Sequence, residues 1–413
     1  MSRPTADRVV ATVLAAKSLR TCCYGFLGVL FPLHLAGLGL GPEGIGVAVA
    51  LTLVSSAGLT LAIRRPAERL GSRAVLIGLA ALTAVSGLLL ATTRSPALVV
   101  VAAMLGNLAV STGETGPFLS IEQVLIARAS TTSALTLRLS LYNLVGYGAA
   151  GLGALTVSVL GNRTDGWISA PTPLPALAWL FAVSGLVQVL VYARLAAGTP
   201  DREDDAAPGR AEGGAAGIGP RRSRVRPLVR RLAALFALDA LAGGFVLQSL
   251  IAYWLHVRFG LTAGALGQVF FGTQLLAGGS LLVAAQAARR LGLVNTMVFS
   301  HLASNVLLIA VALAPAPGPA VALLLLRALL SQIDVPTRQA FLMAVVGDHE
   351  REAAATLTNA SRTVAQALSP ALSGYLMQAV GVSTPFVLGG VLKIVYDLLL
   401  YATCRRATLR ESR

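Results

Sequence analysis

Residues 198–231 read GTPDREDDAAPGRAEGGAAGIGPRRSRVRPLVRR. The stretch holds Pro200, Pro208, Pro220 and Pro227, an acidic run (Asp201, Glu203, Asp204, Asp205) and the closely spaced Arg221, Arg222, Arg224 and Arg226. Such a segment has too little apolar surface to offset the entropy of ordering, so it reads as a mobile linker. An almost continuously apolar block lies on each side. The organisation expected is an N-terminal bundle at 1–197, a basic linker at 198–231 and a C-terminal bundle at 232–413.

Composition bounds the class. Of 413 residues, 55% are hydrophobic and 12% charged, with a mean hydropathy of +0.74. Soluble domains carry about 25% charged residues. A chain this apolar is expected to be a helical membrane protein. The net charge of +15 does not point to nucleic acid, because the arginines sit in short loops between apolar runs. Cys22, Cys23 and Cys404 form no disulfide framework, and the adjacent pair lies in an apolar run where packing is its role. The first apolar run lacks a small-residue cleavage site and is expected to be a retained helix.

A spanning helix needs about 20 apolar residues. Twelve runs qualify: 9–34, 44–63, 74–92, 97–126, 132–160 and 175–194 before the linker, and 232–256, 264–287, 294–313, 320–346, 353–380 and 385–403 after it. With loops assigned alternately, Arg3, Arg8, Arg64, Arg65, Arg69, Arg73, Arg128, the linker arginines, Arg289, Arg290, Arg351 and the C-terminal arginines share one side. Arg94, Arg163 and Arg258 fall on the other. The positive-inside bias then places both termini and the linker in the cytoplasm, in a plasma membrane. Arg221 to Arg231 abut the seventh span and are expected to meet anionic lipid headgroups.

A shift of about 220 residues superposes the halves. Gly39, Gly46, Arg69 and Gly71 fall on Gly260, Gly267, Arg290 and Gly292, and Gly161 falls on Gly381. In the fourth and tenth spans Asn107, Ser111 and Glu114 fall on Arg327, Ser331 and Asp334. Polar groups in hydrocarbon are costly, so their recurrence at matched positions marks a repeat. Two six-helix halves of like orientation imply a pseudo-two-fold axis along the membrane normal.

With that repeat, linker and topology, the chain resembles the Major Facilitator Superfamily over essentially its whole length. The loop after the second span supports the likeness. The superfamily pattern is roughly G-x-L-A-D-R-x-G-R-K-x-x-L, and Glu68, Arg69, Leu70, Gly71, Ser72, Arg73 and Leu76 align with its second part. Glu replaces Asp, Arg64 replaces the leading Gly, and the second-half copy, Arg289 to Gly292, has lost the acid. The resemblance implies an all-α fold of twelve helices and transport by alternating access. It also implies that Glu68, Arg69, Gly71 and Arg73 clamp the cytoplasmic ends in one state.

Intramembrane charges are the transport candidates. Arg327, Ser331, Asp334 and Arg338 recur at the spacing of one helical face, and Asn107, Ser111, Glu114 and Glu122 form a similar stripe interrupted by Pro117. Lys17, Arg20 and Tyr24 share a face of the first span; Arg138, Asp239, Arg362 and Gln366 come from the fifth, seventh and eleventh. The substrate and proton pathway is therefore expected at Lys17, Arg20, Tyr24, Asn107, Glu114, Arg138, Asp239, Arg327, Asp334, Arg362 and Gln366. Glu122 and Arg338, nearer the cytoplasmic ends, are assigned to the gate. In the competing, purely structural reading, Asp334 pairs with Arg338, Lys393 with Asp397, and Glu114 with Arg138. The excess of cations near mid-membrane leans towards an anionic or zwitterionic substrate.

Other motifs exclude functions. Gly146, Gly148 and Gly151 spell G-x-G-x-x-G inside an apolar helix, which suits helix packing and not a dinucleotide. His34 and His256 near the outer ends of their spans read as interfacial packing. Neither a catalytic nor a metal-ligand spacing occurs, nor a nucleotide-binding loop, so no enzyme activity, cofactor or metal is expected. The expectation is a monomeric, proton-coupled transporter of a small molecule, with export placed ahead of uptake of an anionic metabolite. A non-transporting receptor or assembly subunit is the reading from another class.

Overall fold

The structure is a computed structural model and describes residues 3–109, 116–161, 173–195, 227–335, 337–338 and 351–411. Among them every regular element is a helix. The first half contains α1 (Arg3–Gly37), α2 (Pro42–Ala62), α3 (Arg64–Thr92), α4 (Pro96–Leu105), α5 (Pro117–Arg128), α6 (Thr132–Gly161) and α7 (Leu174–Ala193). The second contains α8 (Pro227–Gly244), α9 (Gln248–Phe259), α10 (Ala263–Leu291), α11 (Leu293–Leu313), α12 (Pro317–Leu330), α13 (Arg351–Ala379) and α14 (Thr384–Glu411). Nine stretches of the described residues are long and apolar enough to span a bilayer. The fourth and tenth spans are represented by shorter apolar helices, and the eleventh, α13, carries Asn359, Arg362 and Gln366 along its length. Helix is the form these sequences must take, because hydrocarbon supplies no partner for backbone N–H and C=O. Large side chains such as Leu186, Leu190 and Leu282 are exposed on the outer surface, where lipid would solvate them.

Most ends lie near those expected, but α1 begins at Arg3, α3 at Arg64 and α14 runs on to Glu411, and three spans are broken. The fourth stops at Leu105; Gly106 caps it, Asn107 takes a positive φ of 50°, and the chain re-enters helix at Pro117. The seventh breaks between Gly244 and Gln248, and the tenth ends at Leu330 with Ser331 as its cap. The polar stripes of the fourth and tenth spans thus do not lie on one continuous helical face. Polar side chains there compete with the helix for hydrogen bonds, and Gly and Pro remove its remaining advantage. Ser111, Glu114 and linker residues 198–226 lie outside the described residues. Arg230 and Arg231, read as linker, already belong to α8.

Packing shows the repeat. Within the halves, α3 packs on α7 as α11 packs on α14, and α1 on α6 as α8 on α13. Between halves, α2 meets α13 as α10 meets α6. The backbone repeats too: Gly71 has φ 83° and ψ 157°, and its partner Gly292 has φ 81° and ψ 160°. That region is open essentially to glycine alone. It allows an exposed turn to bend sharply into the next span.

Among the described residues the halves share an apolar cluster at one end. At the end of the α1–α2 turn, one apolar cluster draws on both: Phe31, Leu35 and Val49 with Trp254, Phe270 and Phe386. There Gly46 and Gly374 face each other so closely that a Cβ on Gly46 would strike the Pro370 carbonyl oxygen. At the opposite end the clusters separate into Leu76, Phe118 and Tyr192 in the first half and Leu232, Phe236 and Leu400 in the second. Each closes on its own half, and a polar interior lies between them.

Candidate functional site

In the first half the polar interior is built on Arg20. Its guanidinium forms a two-point pair with Glu122, Nη2 to Oε2 at 2.7 Å and Nη1 to Oε1 at 3.2 Å. Tyr142 donates to Glu122 Oε2 at 2.6 Å and Tyr192 to Oε1 at 2.5 Å. A carboxylate offers about four acceptor positions, and these four bonds use them. Arg20 also donates to Tyr192 Oη at 2.9 Å and Gln188 Oε1 at 3.2 Å, and lies 4.1 Å over the Phe118 ring. Both charged side chains are 0% exposed. Four spans are thereby tied together around one satisfied pair. Glu122, expected at the gate, is Arg20's buried partner. Lys17 sits 4.2 Å over the Tyr142 ring, and Tyr24 packs on Phe181.

The second half carries a different centre. Asp239 on α8 receives three cations: Lys393 Nζ at 2.9 Å on Oδ1, and Arg362 at 2.8 Å and Arg338 at 3.2 Å on Oδ2. Arg338 also reaches Asp334 at 3.0 Å, which realises the i,i+4 pair read from sequence. Lys393 does not pair with Asp397. Asp397 instead takes His301 Nδ1 at 2.7 Å and Asn305 Nδ2 at 2.9 Å. A cavity of about 300 Å³ opens beside this cluster, lined by Asp239, Gln248, Arg327, Asp334, Arg362 and Lys393 among others. Among the described residues Arg327 makes no hydrogen bond or ion pair, and its Nε is buried. Arg338 lines this cavity rather than a gate, and so does Gln366.

Other expected site residues lie elsewhere. Arg138 donates to exposed Asp7 at 2.6 Å and to the Ala129 carbonyl at 2.6 Å, so it ties the N-terminus to the end of α5. Buried Asn107 occupies the break after α4, against Gly116. Glu114 lies outside the described residues. In the loop motif, Glu68 meets only its neighbour Arg64 at 3.5 Å, Arg69 is exposed, and Arg73 donates to the last carbonyl of α7, Ala193, at 2.8 Å. These contacts stay within the first half. Gly146 and Gly151 lie against Lys17 and Phe271 in helix packing.

Sequence reasoning missed His301, Asn305, Gln188 and Tyr192. Each pair stands at i,i+4 inside an otherwise apolar span. That spacing was the available signal.

Two bundles of spanning helices, with a charged cavity walled by the second, are the frame of a membrane transporter. Comparison with known proteins agrees: the chain belongs to the Major Facilitator Superfamily, whose family model matches residues 13–333. A Saccharomyces cerevisiae relative, the uncharacterized membrane protein YJR124C, is 24% identical over 421 residues, covering 96% of this chain and 94% of its own. The nucleoside transporter NupG has the same fold, with TM-score 0.72, 14% identity, and coverage of 96% of this chain and 98% of that one. The human organic anion transporter MFSD10 gives TM-score 0.63 and 18% identity, covering 96% and 99%. A bacterial homologue of the human lysosomal transporter Spinster, inward-facing and unoccupied, gives 0.66 and 14%, covering 98% of each chain. The protein is a multi-pass membrane transporter of small solutes.

Proposed function

We propose that the chain carries a small anionic solute by alternating access, coupled to protons, with the second-half cavity as its binding site. The observation that carries the reading is Arg327. It lines the cavity with its Nε buried and unbonded, Asp334 acting on it without a direct contact, and a guanidinium stays charged under all physiological conditions. Around it Arg338, Arg362 and Lys393 face Asp239 and Asp334, so cations exceed acids at the cavity wall. A buried cation with no acid in direct contact is costly, and a bound anion offsets that cost.

The arginine-rich end faces the cytoplasm of a plasma membrane in this reading, so the splayed halves are open inward. The monomer, with residues 1–197 and 232–413 as its two moving bodies, is the transporting unit. An inside-negative potential opposes anion entry by about 2.3 kcal/mol per charge per 100 mV. One proton moving with each negative charge removes that opposition, so the reading favours uptake over the export expected from sequence.

The test is flux into proteoliposomes under an imposed pH gradient. The solutes are lactate, succinate and inorganic phosphate against a neutral sugar and a cationic dye. At least one anion accumulates with the gradient, and Arg327→Gln lowers its flux by about tenfold or more, equal to ~1.4 kcal/mol. Carriage of the neutral or cationic solute alone would overturn the assignment.

A further inference from the structure

We infer that His301 is the residue through which proton binding controls anion binding, by exchanging the partner of Asp239. This rests on the anion reading above. Two neighbours define the tautomer. As a carboxylate, Asp397 accepts, so Nδ1, 2.7 Å from its Oδ1, carries a proton; the Asn305 amide nitrogen 3.2 Å from the same Nδ1 gives its N–H to Asp397 Oδ2 at 2.9 Å. The Lys393 ammonium can only donate, so Nε2, 3.3 Å from Nζ, presents its lone pair. His301 is thus oriented with its N–H towards Asp397 and Asn305 on one edge and its Nε2 towards Lys393 on the other.

Add one proton to Nε2. The new N–H faces the Lys393 ammonium, donor against donor and charge against charge. Asp239 Oδ1 lies 3.5 Å from the same nitrogen and becomes its acceptor. Oδ1 is also the atom that holds Lys393, at 2.9 Å. The imidazolium thus takes over the oxygen Lys393 occupies. The ammonium moves to the cavity it already lines, with the room beside it provided by Gly243. No covalent bond changes beyond the transferred proton. The cavity gains a mobile cation, so one proton bound at His301 favours one negative charge bound beside Arg327.

The groups facing His301 are accounted for on each neighbouring element. α14 brings Lys393, Asp397 and Tyr396, whose ring lies edge-on at 5.7 Å. α8 brings Asp239. Arg362 on α13 and Arg338 bind the other oxygen of Asp239, Oδ2. α12 brings Arg327 to the shared cavity, and α10 brings uncharged Thr273. Among these the imidazole is the side-chain type that ordinarily changes charge between about pH 5 and 8.

The chain has two lysines, Lys17 and Lys393. The full-length protein labelled with ¹³Cε-lysine therefore yields two lysine ε-methylene signals, assigned with Lys393→Arg. Without any solute, the Lys393 signal shifts as pH falls from about 8 to 5, while Lys17 over its tyrosine stays fixed. In His301→Gln, checked for folding by size-exclusion chromatography, the Lys393 signal does not move. A static Lys393 signal in the unaltered protein overturns the inference, and so does an unchanged titration in His301→Gln. In proteoliposomes, His301→Gln loses gradient-driven accumulation by about tenfold relative to its own anion exchange at equal pH; full accumulation overturns the inference. If no anion in the panel is carried, the proposed function fails while the lysine signal still decides the role of His301.

Discussion

The two halves share a scaffold and use it oppositely. In the first, a cation on the first span, Arg20, is enclosed by Glu122, Tyr192 and Gln188, while Tyr142 completes the shell of Glu122. In the second, an acid on the seventh span, Asp239, holds three cations and leaves a fourth, Arg327, beside a cavity. The sequence shift places Arg20 and Asp239 at about the same level. One half has thus closed its polar interior into a staple, and the other has kept it open to a solute.

The largest effect should come from breaking the staple. Arg20→Ala leaves Glu122 buried with a charge and no cation, at a cost of about 3–5 kcal/mol. Thermal unfolding in detergent would show it, and the paired change Arg20→Met with Glu122→Leu should recover most of the loss. If Arg20→Ala melts normally but does not transport, the halves do not differ as described. Next comes Asp239→Asn, which removes the shared acceptor. Gradient-driven flux should fall by more than about tenfold, with a smaller loss of melting temperature than Arg20→Ala. The repeat itself is tested by Gly71→Ala and Gly292→Ala. Each forces a side chain into a glycine-only region and should cost ~1–3 kcal/mol, by similar amounts in the two halves. The smallest effect is Glu68→Gln, which loses an exposed pair with Arg64 and should change stability by less than about 0.5 kcal/mol.

Much of the fold was legible because its signals are local. Apolar run length marks a span whatever surrounds it, and the demand for glycine at 71 and 292 is a backbone demand that survives in the letters. The breaks in the fourth and tenth spans were not legible, since polar residues at helical spacing read as one continuous face. Partner choice was hidden for another reason. Arg20 and Glu122 stand 102 residues apart, and only packing brings them together. Lys393 shows the same limit: its sequence neighbour Asp397 looked like its partner, but Asp239 on another helix is nearer. His301 escaped notice because a lone histidine in an apolar run usually means packing.

The contact of Gly46 with Gly374 has a mechanical consequence. These two helices bear on each other backbone to backbone, as α10 and α6 do where Gly267 meets Ala154. The halves meet there like machined faces with no gasket, and the angle at which they stop depends on the thickness of that bearing. A single methyl group inserted at residue 46 would act as a shim. It would hold the joined end ajar and bias the cycle towards the opposite opening without touching one charged residue of the cavity.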